Sequence, residues 1–379
     1  GTTYNVAVSG MTGSGTVIAN IPAGGVQDIA GNSNTASTSV DNTVTYDATP
    51  PSVTVNQAVT QTDPTNGSPI DFTVVFSEAV TGFTSADVVT TGSTAAGTLT
   101  AVVTGGGTTY NVSISGMTGS GTVVVTIPAG AANDVSNNGN TASTSTDNTV
   151  TYDVTVPTVT INQAAAQADP TGASPINFTV IFSEAVTGFT NTDITLTGTA
   201  GATTAVVSGA GTTYNVAVSG MAGSGTVIAT VNAGAATDVA NNSSIASTST
   251  DNTVTYDSGI PSVTINQAAA QADPTNASPI NFTVVFSEPV IGFTNADVVL
   301  SGTAGATTVV VSGAGPTYNV AVSGMTGSGT VIATIPAGAV QDVAANGNTN
   351  STSTDNTVTY DVTAPTVTVN QAAAQADPT

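Results

Sequence analysis

The chain is 379 residues long with no Lys, Arg, His, Cys or Trp, so its 23 carboxylates leave a formal charge of −23. Disulfides, thiol catalysis and Cys-ligated metals are excluded, and nucleic acid and anionic membrane surfaces would both need basic residues that the chain lacks. Charged residues are only 6% of the total, and the abundance of Val, Ile and Thr favours a β fold over disorder. No apolar run approaches the ~20 residues of a membrane-spanning helix.

Internal repetition is the strongest signal. The run Pro-Ser-Val-Thr-Val-Asn-Gln at Pro51 returns with small changes at Pro157, Pro261 and Pro365. Just before each copy stands an Asp-Asn-Thr-Val-Thr-Tyr-Asp segment, opening at Asp41, Asp147, Asp251 and Asp355. The pattern divides the chain into a C-terminal half-repeat (1–47) and three full repeats (48–153, 154–257, 258–361). Residues 362–379 are expected to form the first strand of a further repeat. The chain opens at Gly1 in mid-repeat and reads as part of something longer.

In the second full repeat the apolar alternation predicts seven strands, taken in order. Thr158–Asn162 comes first, followed by Ile176–Ser183 with Ile176, Phe178, Val180 and Phe182 on one face. Asp193–Thr197 and Thr204–Ser208 are shorter. Thr213–Ser219 places Tyr214, Val216 and Val218 inward, and Gly225–Asn232 and Asn252–Asp257 complete the set. No helical period is present. Short alternating strands between Gly, Asn, Asp and Pro turns, in a repeat of ~100 residues, mark a β-sandwich. The Gly-Ser-Gly of residues 119–121 and its copies read as a turn and not as a phosphate cradle.

The run Ile-Asn-Phe-Thr-Val-Ile-Phe-Ser-Glu-Ala-Val-Thr-Gly-Phe-Thr (176–190), the Ala-Thr-Asp-Val-Ala-Asn-Asn loop (236–242) and the closing Thr-Tyr-Asp resemble bacterial Ig-like repeats. Such repeats build the stalks of large bacterial surface adhesins. The resemblance covers the whole chain and implies an all-β fold of tandem seven-stranded Ig-like β-sandwich domains in an elongated array. It also implies an extracellular, cell-surface location.

Every acid except Asp71 falls at one of six repeat positions. In a seven-stranded sandwich the loops after strands two and six share the end where strand one begins. The loop after strand one and the end of strand seven share the other end. Five carboxylates are therefore expected to meet at each joint between repeats. Asp63 and Asp153 would face Glu184, Asp193 and Asp238; at the next joint Asp169 and Asp257 would face Glu288, Asp297 and Asp342. At the first joint Asp47 would meet Glu78, Asp87 and Asp134. Clustered anions without a protein cation repel one another or stay protonated. A hard divalent cation resolves this, and calcium, with roughly 6–8 oxygen ligands in flexible geometry, suits a loop-built site better than magnesium. Stalks that the repeats resemble are calcium-rigidified, which points the same way. Asp41, Asp147, Asp251 and Asp355 read instead as local turn acids.

Without His, Cys or Lys the usual nucleophile–base pairs cannot be built, and a carboxylate pair copied in every repeat does not describe one active site. The leading reading is a non-enzymatic extender that holds a distal module away from a cell. A self-assembling fibre or sheath is the alternative, because the outward Thr, Ser and Asn positions leave edge strands without the Lys that usually guards them. The expected partners are neighbouring repeats of the same chain, with lateral or end-to-end self-association, no nucleic acid and no direct membrane insertion.

Overall fold

The computed structural model describes residues 1–375; Asp377, one of the repeated acids, lies outside the described residues. Among the described residues the chain is all-β, its only helices being three-residue 3-10 turns at Ser85–Asp87, Asn191–Asp193 and Asn295–Asp297. Contacts divide it into two compact units. One holds Gly1–Pro157 with Glu184–Gly188 and Ala236–Ile245, and the other takes the remainder of the described chain.

The third repeat shows the whole topology. Its strands are Val263–Gln267, Ile280–Phe286, Val299–Ser301, Thr308–Ala314, Thr317–Ser323, Gly329–Thr334 and Thr357–Tyr360. The first, second, fifth and fourth form one antiparallel sheet; the third, sixth and seventh form the other. This is the strand partition of a constant-type immunoglobulin sandwich. The registers follow from the apolar alternation, with Ile265 opposite Val284, Phe282 opposite Val320, and Val331 opposite Val358. A one-residue slip would turn each of these side chains outward. Ile265, Phe282, Val284, Val320, Val331 and Val358 are all fully buried in one core drawn from both sheets. Each such side chain contributes about 1.5–3 kcal/mol.

The sequence-derived strands of the second repeat are met with small shifts. Strand three begins at Ile194, because Asp193 closes a 3-10 turn. The two strands expected at Thr204–Ser208 and Thr213–Ser219 form one run, Thr204–Ser219. Gly209 and Gly211 have positive φ there, as do Gly313 and Gly315 where the third repeat turns between its fourth and fifth strands. In the first repeat strand three shrinks to a single bridge, Val89 to Thr126. Residues 362–375, expected to start a further repeat, contain no strand.

Aromatic packing fixes the loop that matters below. In the first repeat Phe76, Phe83 and Tyr110 meet edge-to-face at 5.2–5.8 Å, and the Tyr110 hydroxyl donates to the Val80 carbonyl at 3.0 Å. Between the two phenylalanines the second strand shifts register, a bulge that re-aims its side chains. Glu78 sits in that stretch. Phe286, Phe293 and Tyr318 bracket Glu288 in the same way.

Candidate cation-binding site

Where one repeat passes to the next, three carboxylates converge. Asp47, Glu78 and Asp134 form the first group, Asp153, Glu184 and Asp238 the second, and Asp257, Glu288 and Asp342 the third. In each group one oxygen from every residue lies within 4.8 Å of the others. The first two groups lie within the first compact unit and the third within the second. The linker aspartate and the glutamate are half-buried, and the loop aspartate is buried: Asp134, Asp238 and Asp342 are 4%, 3% and 1% exposed.

A tight turn positions the loop aspartate. Asp238 Oδ1 accepts from the Asn242 amide at 2.8 Å, and Asp238 Oδ2 accepts from Asn242 Nδ2 at 2.9 Å. Asn241 takes the left-handed conformation that closes the turn (φ 67°), as do Asn137 and Ala345 in the other copies. The Asn242 Nδ2 group also donates to the main-chain carbonyl of Asp153 at 2.9 Å. Asn138 makes the same bridge from Asp134 to the Asp47 carbonyl, and Asn346 from Asp342 to the Asp257 carbonyl.

The linker aspartate is clamped from the opposite side. Ser120 Oγ donates to Asp153 Oδ1 at 3.0 Å, and the Thr155 amide donates to the same oxygen at 2.9 Å. Burial raises the Asp153 pKa, but these donors outweigh it and hold the carboxyl below its ordinary value. The Thr49 amide and Ser14 hydroxyl lower Asp47 likewise. Ser120 is the centre of the Gly-Ser-Gly turn, so that turn serves the acid and not a phosphate.

The glutamate is the least partnered member of the second and third groups. Among the described residues no hydrogen-bond donor reaches the carboxylate of Glu184 or Glu288. Burial, followed by the charges of Asp238 and Asp153, raises the Glu184 pKa; burial, followed by Asp342 and Asp257, raises that of Glu288.

Asp63 and Asp169, and likewise Asp87, Asp193 and Asp297, do not join these groups. Asp63 Oδ1 accepts from the Thr151 amide, and Asp169 Oδ1 from the Thr255 amide, each at 2.9 Å. Asp87, Asp193 and Asp297 close their 3-10 turns by accepting from the amide and hydroxyl of Thr84, Thr190 and Thr294 at 2.7–2.8 Å. Sequence reasoning passed over the bridging asparagines. The signal was present, since an Asn stands four places after the aspartate in every copy: Asn32, Asn138, Asn242 and Asn346.

The donor set suits a hard divalent cation. Two oxygens on one calcium stand at most about 5.2 Å apart at metal–oxygen distances of ~2.6 Å, and the 4.8 Å spacing falls inside that limit. Three carboxylates supply the negative charge, and the sequence offers no Lys, Arg or His to balance it.

The bacterial Ig-like domain family matches residues 47–152 and 153–256. The chain belongs to this family. The border between the two matches falls at Asp153, the linker member of the second carboxylate group. Beyond the matched residues the third repeat continues the series with the same triad. Bacterial Ig-like domains are common in surface and extracellular proteins and are typically non-catalytic. The comparison with curated proteins gives no match. No helix among the described residues is long and apolar enough to cross a membrane.

Proposed function

We propose that this chain is a spacer in the stalk of a bacterial surface adhesin, stiffened by calcium at the passages between repeats. The observation that carries the reading is the recurrence of one linker aspartate, one glutamate and one buried loop aspartate at three successive passages. Asp153 and Asp257 belong to the linkers, whereas Glu184, in the second strand, and Asp238, in a loop, belong to the following repeat, as do Glu288 and Asp342. A cation held by both sets would tie linker to repeat. The hydrogen bonds at Asp153 and Asp238 orient their carboxylates beforehand and keep Asp153 ionised, leaving Glu184 as the least compensated charge. If the repeats run 48–153, 154–257 and 258–361, each triad falls at a border, which supports this role.

Small-angle scattering tests the extender against the fibre. The extender predicts single chains whose largest dimension falls when a chelator is added. Concentration-dependent bundles or filaments would favour the fibre instead, and single chains indifferent to chelator would remove calcium from the reading.

A further inference from the structure

The bridging asparagines differ in the residue that follows them. Asn138 and Asn346 precede glycine, at Gly139 and Gly347, whereas Asn242 precedes Ser243. The amides of Gly139 and Gly347 donate to no acceptor among the described residues. At the chain's third Asn-Gly pair, Asn66-Gly67 in the first repeat, the Gly67 amide is engaged by Thr65 Oγ1 at 3.0 Å. A free glycine amide beside an asparagine is the arrangement that favours loss of the side-chain nitrogen, because no side chain hinders the attacking backbone, and asparagine is among the thermolabile residues.

We infer that Asn138 and Asn346 are deamidation sites, and that their conversion replaces the bridge between loop aspartate and linker with a further carboxylate. The Gly139 nitrogen gives its proton to solvent and attacks Asn138 Cγ. The Cγ–Nδ2 bond breaks, the departing nitrogen takes up a proton and leaves as ammonia, and a five-membered imide remains. Water then opens the imide to aspartate or isoaspartate. The net change is amide plus water to carboxylate plus ammonium, with no oxidation or reduction. The Nδ2 that reaches Asp134 Oδ2 at 2.8 Å and the Asp47 carbonyl at 3.1 Å is the atom lost. In its place stands an acceptor facing acceptors. Asn242 keeps its bridge because Ser243 hinders the same attack.

The effect of the new carboxylate on cation binding rests on the calcium reading; the conversion itself does not. The test incubates the whole folded chain at mildly alkaline pH and follows the amide-to-acid mass gain peptide by peptide. Urea-denatured chain serves as the reference for sequence-only rates. The expected result is conversion at Asn138 and Asn346 several times faster than at Asn242 and Asn66 in the folded chain. Equal rates at Asn138 and Asn242, or complete protection of Asn138 and Asn346 while the denatured reference converts, would overturn it. The variants Asn138→Asp and Asn346→Asp then report the consequence. Both should lower the thermal midpoint in chelator, and added calcium should recover the loss if the triads bind it. Recovery failing while conversion proceeds would count against calcium alone.

Discussion

Asn242 Nδ2 reaches the main-chain oxygen of Asp153 at 2.9 Å, joining residues 89 positions apart. The same nitrogen holds Asp238 Oδ2, so one carboxamide ties a buried acid to the linker beside it. A main-chain acceptor cannot be removed by substitution at Asp153. The bridge therefore depends on the asparagine.

Replacing Asn242 with Ala should cost about 1–3 kcal/mol, the range for leaving a buried polar group without its partner. Asp238 is 3% exposed and would lose its Nδ2 donor. Urea denaturation measures this; a loss below a few tenths of a kcal/mol would mean the bridge carries no stability.

Gly172 packs against the corresponding asparagine of the third triad. A Cβ there would stand 2.1 Å from Asn346 Oδ1 and 3.0 Å from the Asp257 carbonyl. Gly172→Ala should therefore destabilise by about 1–3 kcal/mol, as overpacking does. Gly223→Ala, where a Cβ meets nothing within 4 Å, is the control. Equal midpoints for the two variants would contradict the close fit.

Ala345 holds the left-handed position of its turn at φ 67°, where the half-repeat has Gly31 at 86°. An L-residue with Cβ loses roughly 1–2 kcal/mol in that region, and glycine gives back about 0.5–1 kcal/mol in chain entropy. Ala345→Gly should stabilise by up to about 1 kcal/mol in the same denaturation assay, and a destabilisation would exclude strain at this residue.

The acids set opposite pH dependences. Glu184 and Glu288 bind protons more tightly folded than unfolded, so their contribution is present at acid pH and is lost as pH rises through values above the ordinary 4.5. Asp153 is held below the ordinary 3.8, so its contribution is present above that value and is lost as pH falls through its folded pKa. In chelator the thermal midpoint should rise from neutral to mildly acid pH and then fall in stronger acid. All 23 carboxylates share in the relief of general repulsion. The Glu184→Gln, Glu288→Gln double variant isolates the triad part and should flatten the rise. A rise unchanged in the double variant would place its origin elsewhere.

The sandwich was legible because apolar alternation fixes which face of a strand is buried. Ile176, Phe178, Val180 and Phe182 follow one another inward as the alternation requires. The triads were legible in part. Topology alone sent the linker acid and the two loop acids to one place, since the poles of a sandwich are fixed by strand order. It could not separate an aspartate free to face the joint from one already used by its own loop. Asp193 and Asp63 accept from Thr190 and Thr151, and those bonds depend on turn geometry that alternation does not encode. Asn242 escaped because an asparagine in a loop reads first as a turn former, and its acceptor is a carbonyl, which no sequence position marks.

Calcium titration of the chelated chain, followed by thermal melting, tests the cation reading most directly. A ligand bound only by the folded state stabilises by about 2.7 kcal/mol at one hundred times its dissociation constant. Calcium should therefore raise the midpoint in a saturable way, magnesium less so, and the Glu78→Gln, Glu184→Gln, Glu288→Gln triple variant should lose most of the rise. A midpoint that does not move with calcium, or that moves equally in the triple variant, would contradict cation binding at the triads.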